Sequence, residues 1–110
     1  MTRYYRLQDP IYLPTLTNEG QTSTAYGDPD DVRAGKSVMH SIEELADYLA
    51  IAGVEFTADW VLVELEGYAS DEDDTDAHLG VELIHPTQVT QVWDFDHFLP
   101  YLDAALEAAA

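Results

Sequence analysis

The strongest hydrophobic pattern in this chain is a pair of alternating segments, residues 60–66 and 79–85, on either side of an acidic run at residues 71–76. Alternation of apolar and polar side chains is typical of strands in a half-buried sheet. The two segments therefore predict an antiparallel hairpin with the acidic run at its tip. The apolar positions expected to share the inner faces are Val61, Val63, Leu65, Leu79, Val81 and Leu83.

Three carboxylates fall on the polar face of this predicted hairpin. Glu64 and Glu66 alternate with the apolar side chains of the first segment, and Glu82 does so on the return segment. Alternate residues of a strand lie roughly 6.6 Å apart on one face, a step comparable to the spacing of phosphates along a nucleic-acid strand. We expect these three carboxylates to stand together on an exposed face that the acidic run continues.

Shorter patterns predict the rest of the sheet. Residues 3–8 predict a first strand, and residues 11–13 a short extended continuation. Residues 17–36 are rich in Thr, Gly, Asp, Asn and Pro without a clear period, which predicts a long loop. Pro86 indicates a turn, and residues 88–93 predict a last strand whose broken alternation favours a bulge.

Two helices have clear start signals. Ser41 is the expected N-cap of the first, Glu44 completes a capping box, and Gly53 is a natural end. The second helix is expected to begin with Asp94 or Asp96 as its cap. The apolar stripes are Ile42, Leu45, Ala46 and Leu49 in the first helix, and Phe98, Leu99, Leu102, Ala105 and Leu106 in the second.

Together these elements predict an α+β fold, a mainly antiparallel sheet of about four strands with two helices packed on one face. A chain of 110 residues can form one core, so we expect a single domain over residues 1–110. It has no cysteine, which excludes disulfides and thiolate metal sites. The lack of a signal-peptide pattern or of a long apolar run predicts a cytoplasmic protein with no membrane contact.

The charge of the chain is extreme and unevenly distributed. Twenty-two acidic residues face four basic ones, which gives a formal net charge of −18. The last cation is Lys36, and seventeen carboxylates follow it. Such charge opposes compaction, but a hydrophobic content of 46% argues against disorder. We therefore expect a folded protein whose surface is strongly anionic.

Catalytic and ligand-binding motifs fit the chain poorly. Residues 34–37 match the end of a phosphate-binding loop, but Asp30 stands where that motif needs glycine. The acidic run has calcium-loop spacing, yet Asp76 replaces the glycine of the sharp turn. The histidines lack zinc-like spacing, and no nucleophile motif is present. We expect no enzyme activity, no metal site and no cofactor.

Negative charge leaves binding to a basic protein as the expected function. Affinity for nucleic acid comes from cations, so direct binding of DNA or RNA is excluded. The expected partner is a basic DNA-binding protein, approached through electrostatic steering. Neutralising the acidic run should then weaken binding and leave the fold intact. The candidate partner-binding residues are Glu64, Glu66, Asp71, Glu72, Asp73, Asp74, Asp76 and Glu82, with Glu43, Glu44, Asp47, Asp94 and Asp96 as secondary candidates.

In its small size, acidity, absence of cysteine and α+β pattern, the chain resembles phage-encoded DNA-mimic inhibitors, including many anti-CRISPR proteins. Those families share charge and shape rather than motifs, so no residue role carries over. The resemblance implies an inhibitor that occupies the DNA-binding channel of a CRISPR surveillance or effector complex in a phage-infected or prophage-bearing bacterium. We expect the protein to be a monomer or a homodimer. The alternatives are an immunity protein that neutralises a basic nuclease toxin, and a salt-adapted acidic accessory domain.

Overall fold

The computed structural model describes residues 2–25, 28–52, 56–74 and 76–109. The chain forms six strands, two α-helices and two short 3-10 helices in the described part. The strands are β1 (Arg3–Gln8), β2 (Thr22–Ala25), β3 (Asp28–Ala34), β4 (Lys36–Val38), β5 (Val61–Ala69) and β6 (Glu82–Asp94). The α-helices are α1 (Ile42–Ala52) and α2 (Phe95–Ala109), and the 3-10 helices are Pro10–Thr15 and Ala77–Leu79.

Four strands form an antiparallel sheet in the order β1-β5-β6-β4, and both α-helices pack on one face of it. This is the predicted α+β fold. The core between the sheet and the helices is closed by Phe98, Leu102 and Leu45, against Leu7 and Leu62 of the sheet. The amphipathic stripes of the helices are buried here because the apolar face of a sheet needs a covering layer.

The opposite face of the sheet has its own smaller core. Val63, Leu65 and Ile84 are fully buried there together with Tyr4. The first 3-10 helix covers them, and Leu16 at its end is 1% exposed. Both faces of the sheet are therefore covered, which explains why Val61 to Leu65 carries so many apolar side chains.

Strands β5 and β6 form the predicted hairpin, but its register differs from the expected one. Residues 82–94 form one continuous strand, with no turn at Pro86, which lies opposite Gly67. The register shifts twice, and each shift leaves one extra residue on β6, Thr87 and Thr90. Both hydroxyls donate to β5 carbonyls, at 3.3 Å and 3.1 Å. The predicted bulge in residues 88–93 is confirmed, with threonine hydroxyls bonding to the bulged ladder.

The N-terminal third differs most from expectation. Residues 11–13 lie within a 3-10 helix that begins after Asp9, whose carboxylate accepts a hydrogen bond from the Ile11 amide. Residues 17–36 are not a long loop, because β2 and β3 pair within them as an antiparallel hairpin. The cause is composition: Asp, Thr and Pro in these strands are typical of turns, so the pattern concealed the pairing.

The helices begin close to the predicted positions. The Ser41 hydroxyl accepts from the Glu44 amide at 3.1 Å, which confirms the N-cap of α1, whereas Gly53 lies outside the described residues. α2 begins at Phe95, so Asp94 rather than Asp96 precedes it. Pro100 therefore lies inside the helix, beyond the first turn, where the hydrogen bond of its missing N–H is lost. Three of the five residues of the predicted α2 stripe are buried, whereas Leu99 and Leu106 are exposed.

Candidate acidic interaction surface

The two carboxylates on β5 are held inside the molecule. The side chains of Glu64 and Glu66 are only 12% and 15% exposed, and Arg3 lies 3.3 Å and 3.8 Å from them. The Glu64 carboxylate also accepts a hydrogen bond from the Tyr5 hydroxyl at 2.9 Å. The Thr90 hydroxyl lies 2.8 Å from the same carboxylate and shares its single proton between this group and the Glu64 carbonyl oxygen. Burial of the Tyr5 hydroxyl, followed by its hydrogen bond to Glu64, raises the pKa of Tyr5. Glu64 and Glu66 thus neutralise a cation and tie β1 to β5.

The predicted cluster of Glu64, Glu66 and Glu82 on one exposed face is wrong. Glu66 pairs with Gln88, so Glu82 lies roughly 20 Å farther along β6 at about 3.3 Å per residue. Glu82 is opposite Val38 of β4, and its carboxylate contacts the His40 imidazole at 2.7 Å. Glu82 is separated from Glu64 and Glu66 because β6 is long and its two bulges shift the register of its pairing with β5.

The acidic run is not a free tip either. The Ser37 hydroxyl donates to Asp74 at 2.6 Å, and the Tyr48 hydroxyl donates to Asp76 at 2.6 Å. The amide of Asp76 donates to the other oxygen of Asp74 at 2.9 Å. Burial, followed by the contact with Asp76, raises the pKa of Tyr48. Asp74 and Asp76 therefore fasten the hairpin loop to β4 and to α1.

The other half of the run contacts the β3 end. The Glu72 carboxylate accepts from the backbone amide of Ala34, and Arg33 donates to the carbonyl oxygen of Asp73. The side chains of Asp71, Glu72 and Asp73 remain exposed. Of the five acids in the run, these three present charge to solvent, and the two that follow them are half-buried.

The Asp and Glu side chains of the two helices are all exposed and have no lysine or arginine neighbour within either helix. These side chains are Glu43, Glu44 and Asp47 on α1, and Asp96, Asp103 and Glu107 on α2, with exposed Asp94 directly before it. The secondary candidates of the sequence are thus all exposed on or directly before the helices, and we call this set of seven acids the acidic helix face.

Asp103 and Glu107 belong to the acidic helix face but are absent from the sequence-based candidates. A signal for them exists, because Asp96, Asp103 and Glu107 are spaced by seven and four residues. That spacing places all three on one side of a helix with 3.6 residues per turn. Two acids of α1, Glu43 and Asp47, are likewise one turn apart.

The described ranges contain no grouping of three or more acidic or histidine side chains able to hold a metal ion. Glu82, the last position of the calcium-loop spacing, belongs to strand β6. Among the helices of the described chain, none has the length and apolar character needed to cross a membrane. Comparisons with protein-family models, curated proteins and solved structures yield no match for this chain.

Proposed function

We propose that this protein is a DNA-mimic inhibitor whose acidic helix face binds the basic DNA-binding groove of a partner protein. The observation that carries the proposal is the helix layer itself, in which all charged side chains are exposed carboxylates. A cationic groove that normally neutralises phosphates would gain the same electrostatic attraction from this layer.

The spacing on the acidic helix face supports mimicry rather than a diffuse coat. Asp103 and Glu107 are one turn apart on α2, as are Glu43 and Asp47 on α1. At about 1.5 Å of rise per residue, each pair is separated by roughly 6 Å along its helix axis, a step close to that between successive phosphates of a strand. The two helices that carry these rows contact each other and share one core against the sheet.

The proposed partner is a CRISPR surveillance or effector complex in the cytoplasm of a phage-infected or prophage-bearing bacterium. This assignment follows from the resemblance to anti-CRISPR inhibitors in size, charge and the absence of cysteine. Such complexes hold their nucleic acids in positively charged channels that recognise backbone geometry. Occupation of that channel would block binding of target DNA without any chemistry on the part of the inhibitor.

The experiment compares two variants with the same net charge. The first neutralises the α2 row (D96N, D103N, E107Q), and the second neutralises three exposed acids outside the helices (E19Q, D71N, D73N). Immobilised wild-type protein captures partners from a nuclease-treated bacterial lysate at several salt concentrations. The affinity of each variant for the captured partner, and its inhibition of DNA binding by that partner, are then measured.

We expect the α2 variant to lose at least about tenfold more affinity than the matched variant. Capture of a CRISPR complex supports the proposed target, and capture of a basic nuclease toxin would identify an immunity protein instead. Equal losses of affinity in the two variants would show that binding depends only on net charge and not on the position of the acids. Absence of any basic partner at low salt would reject the inhibitor proposal.

A further inference from the structure

A cleft of about 270 Å³ lies on the sheet face opposite the acidic helix face. It is bounded by β1, the first 3-10 helix, the start of β4 and Trp60. Its polar wall contains Arg6, Gln8 and Lys36, and its apolar wall contains Leu16 and the ring of Trp60. Two of the four cations of the chain thus line one small cavity in a protein with twenty-two acidic residues.

Arg6 in this cleft is half-buried and lacks the carboxylate partner that such an arginine normally has. One terminal nitrogen donates to the Ser37 carbonyl oxygen at 2.9 Å. The Nε–H is enclosed and has no hydrogen-bond partner, and no ion pair joins Arg6 to an acid of the described chain. Burial lowers the pKa of Arg6 to about 10. An enclosed guanidinium N–H without an acceptor is costly, so an anionic ligand would stabilise it.

Lys36 adds a second positive charge to the same cavity. Its ammonium donates to the Thr22 carbonyl oxygen at 2.8 Å, a neutral partner. Burial, and then the charge of Arg6, lower the pKa of Lys36. Within the part of the chain that the structure describes, both cations are bonded only to backbone carbonyl oxygens, and their positive charges repel one another. An oxyanion bound between them would relieve that repulsion.

Gln8 supplies a hydrogen-bond acceptor that has no donor in the described chain. This side chain is 5% exposed, and its amide N–H donates to the Asp9 carbonyl oxygen at 3.1 Å. The amide oxygen is enclosed without a donor. The orientation of the side-chain amide is fixed by this contact. Exchanging its oxygen and nitrogen would place two acceptors, the Gln8 oxygen and the Asp9 carbonyl oxygen, against each other and lose the hydrogen bond. Two residues that line the cleft therefore each keep an unsatisfied polar atom, a donor on Arg6 and an acceptor on Gln8.

We propose that the cleft binds a small carboxylic acid that carries an amino or hydroxyl group on its α carbon. The carboxylate pairs with Arg6 and Lys36, and the α-substituent donates to the Gln8 amide oxygen. Asp9 also lines the cleft, and its negative charge favours an α-ammonium and disfavours ligands with several negative charges. The volume is slightly below the roughly 300 Å³ at which drug-sized sites begin, which limits the ligand to a small metabolite.

An ordered water molecule is the alternative occupant, because one water can accept from Arg6 and donate to Gln8. The two occupants differ in what they require. Water needs only the two enclosed polar atoms, whereas the proposed ligand also needs the charges of Arg6 and Lys36. The proposal is independent of the acidic helix face, which lies on the other side of the sheet.

The test is a titration of the full chain followed by nuclear magnetic resonance of the arginine Nε–H and glutamine amide groups. The probes are L-serine, L-lactate, propionate, which lacks the α donor, and inorganic phosphate. We expect serine and lactate to shift the Arg6 and Gln8 signals, and propionate to bind about tenfold more weakly. Binding of phosphate alone, or equal binding of propionate and lactate, would overturn the assigned ligand class.

Variants separate the proposed site from general charge effects. R6M should abolish binding, and R3M is the matched control, since it removes the same charge from the same strand on the opposite face. If R6M fails to fold, Q8L decides, because it keeps both cations and should reduce lactate affinity to that of propionate. Unchanged lactate affinity in Q8L, or absence of any shift up to roughly 10 mM ligand, would leave water as the occupant and reject the site.

Discussion

At the scale of single residues, the acidic side chains of this protein fall into two groups. Glu64, Asp74 and Asp76 accept hydrogen bonds from side chains distant in sequence. Asp103 and Glu107 are exposed on a helix. The first group stabilises the fold, whereas the second adds repulsion that a cationic partner would relieve. Replacing a carboxylate by its amide should therefore change stability in opposite directions in the two groups.

Glu64→Gln should lower the free energy of unfolding by about 1–3 kcal/mol, since the charge that pairs with Arg3 and accepts from Tyr5 and Thr90 is lost. Urea denaturation measures the change. The matched control is Glu107→Gln, which removes the same charge from an exposed position and should leave stability equal or slightly higher. Equal effects of the two variants would contradict the structural role of Glu64.

Tyr48→Phe should cost about 1 kcal/mol near neutral pH, because it removes a hydrogen bond to the charged Asp76 from a half-buried hydroxyl. Since the pKa of Tyr48 is raised above its ordinary value of 10.0, the unfolded chain releases this proton first as pH rises. The contribution is complete below about pH 10 and declines above it. Urea denaturation at a series of pH values should show the difference from wild type shrinking there.

The exposed Tyr68, whose ring contacts His85, provides the control for that experiment. Tyr68→Phe should change stability by less than about 0.5 kcal/mol. A Tyr48→Phe variant as stable as Tyr68→Phe at neutral pH would mean that the bond to Asp76 contributes nothing.

At the scale of elements, hydrophobic periodicity is sufficient where one face of a strand or helix is buried. It predicts β1, β5, α1 and the start of α2, together with the bulge in the last strand. It fails for β2 and β3, whose residues are typical of turns and which pair mainly with each other. It also fails at Pro86, since strand β6 continues through a residue that normally ends one.

The acidic run behaves as a bridge between elements rather than as a solvated tip. The structure changes the expectation that neutralising all of its acids leaves the fold intact. The double variant D74N and D76N should lose about 1–3 kcal/mol, because charged acceptors for Ser37 and Tyr48 are removed.

The companion double variant, D71N and D73N, removes equal charge from exposed side chains and should be neutral or slightly stabilising. Thermal unfolding of both variants measures the contrast. If the two have equal melting temperatures, Asp74 and Asp76 do not anchor the loop.

At the scale of the whole molecule, a net charge of −18 is confined within a radius of gyration of 13.2 Å. At 0.01 M salt the screening length is roughly 30 Å, so every carboxylate repels the others, and at 0.15 M it falls to about 8 Å. The core of two covered sheet faces must outweigh this repulsion.

The melting temperature should therefore rise by several degrees, about 4–8 °C for each kcal/mol of repulsion removed, as sodium chloride increases from roughly 0.01 to 0.5 M. The protein should be folded at the lowest salt. A chain that unfolds there and folds only in molar salt would favour salt adaptation over a binding function.

The sequence by itself determined the fold class, the two helices, the hairpin around the acidic run and the excess of negative charge. These follow from local periodicity and composition, which do not depend on distant contacts. The tertiary structure decided which carboxylates are exposed to solvent, because the ion pair of Glu64 with Arg3 and the hydrogen bond of Tyr48 to Asp76 join residues far apart in sequence. It also brought Arg6, Gln8 and Lys36 into one cleft, since strand order, not spacing along the chain, sets which side chains share a cavity.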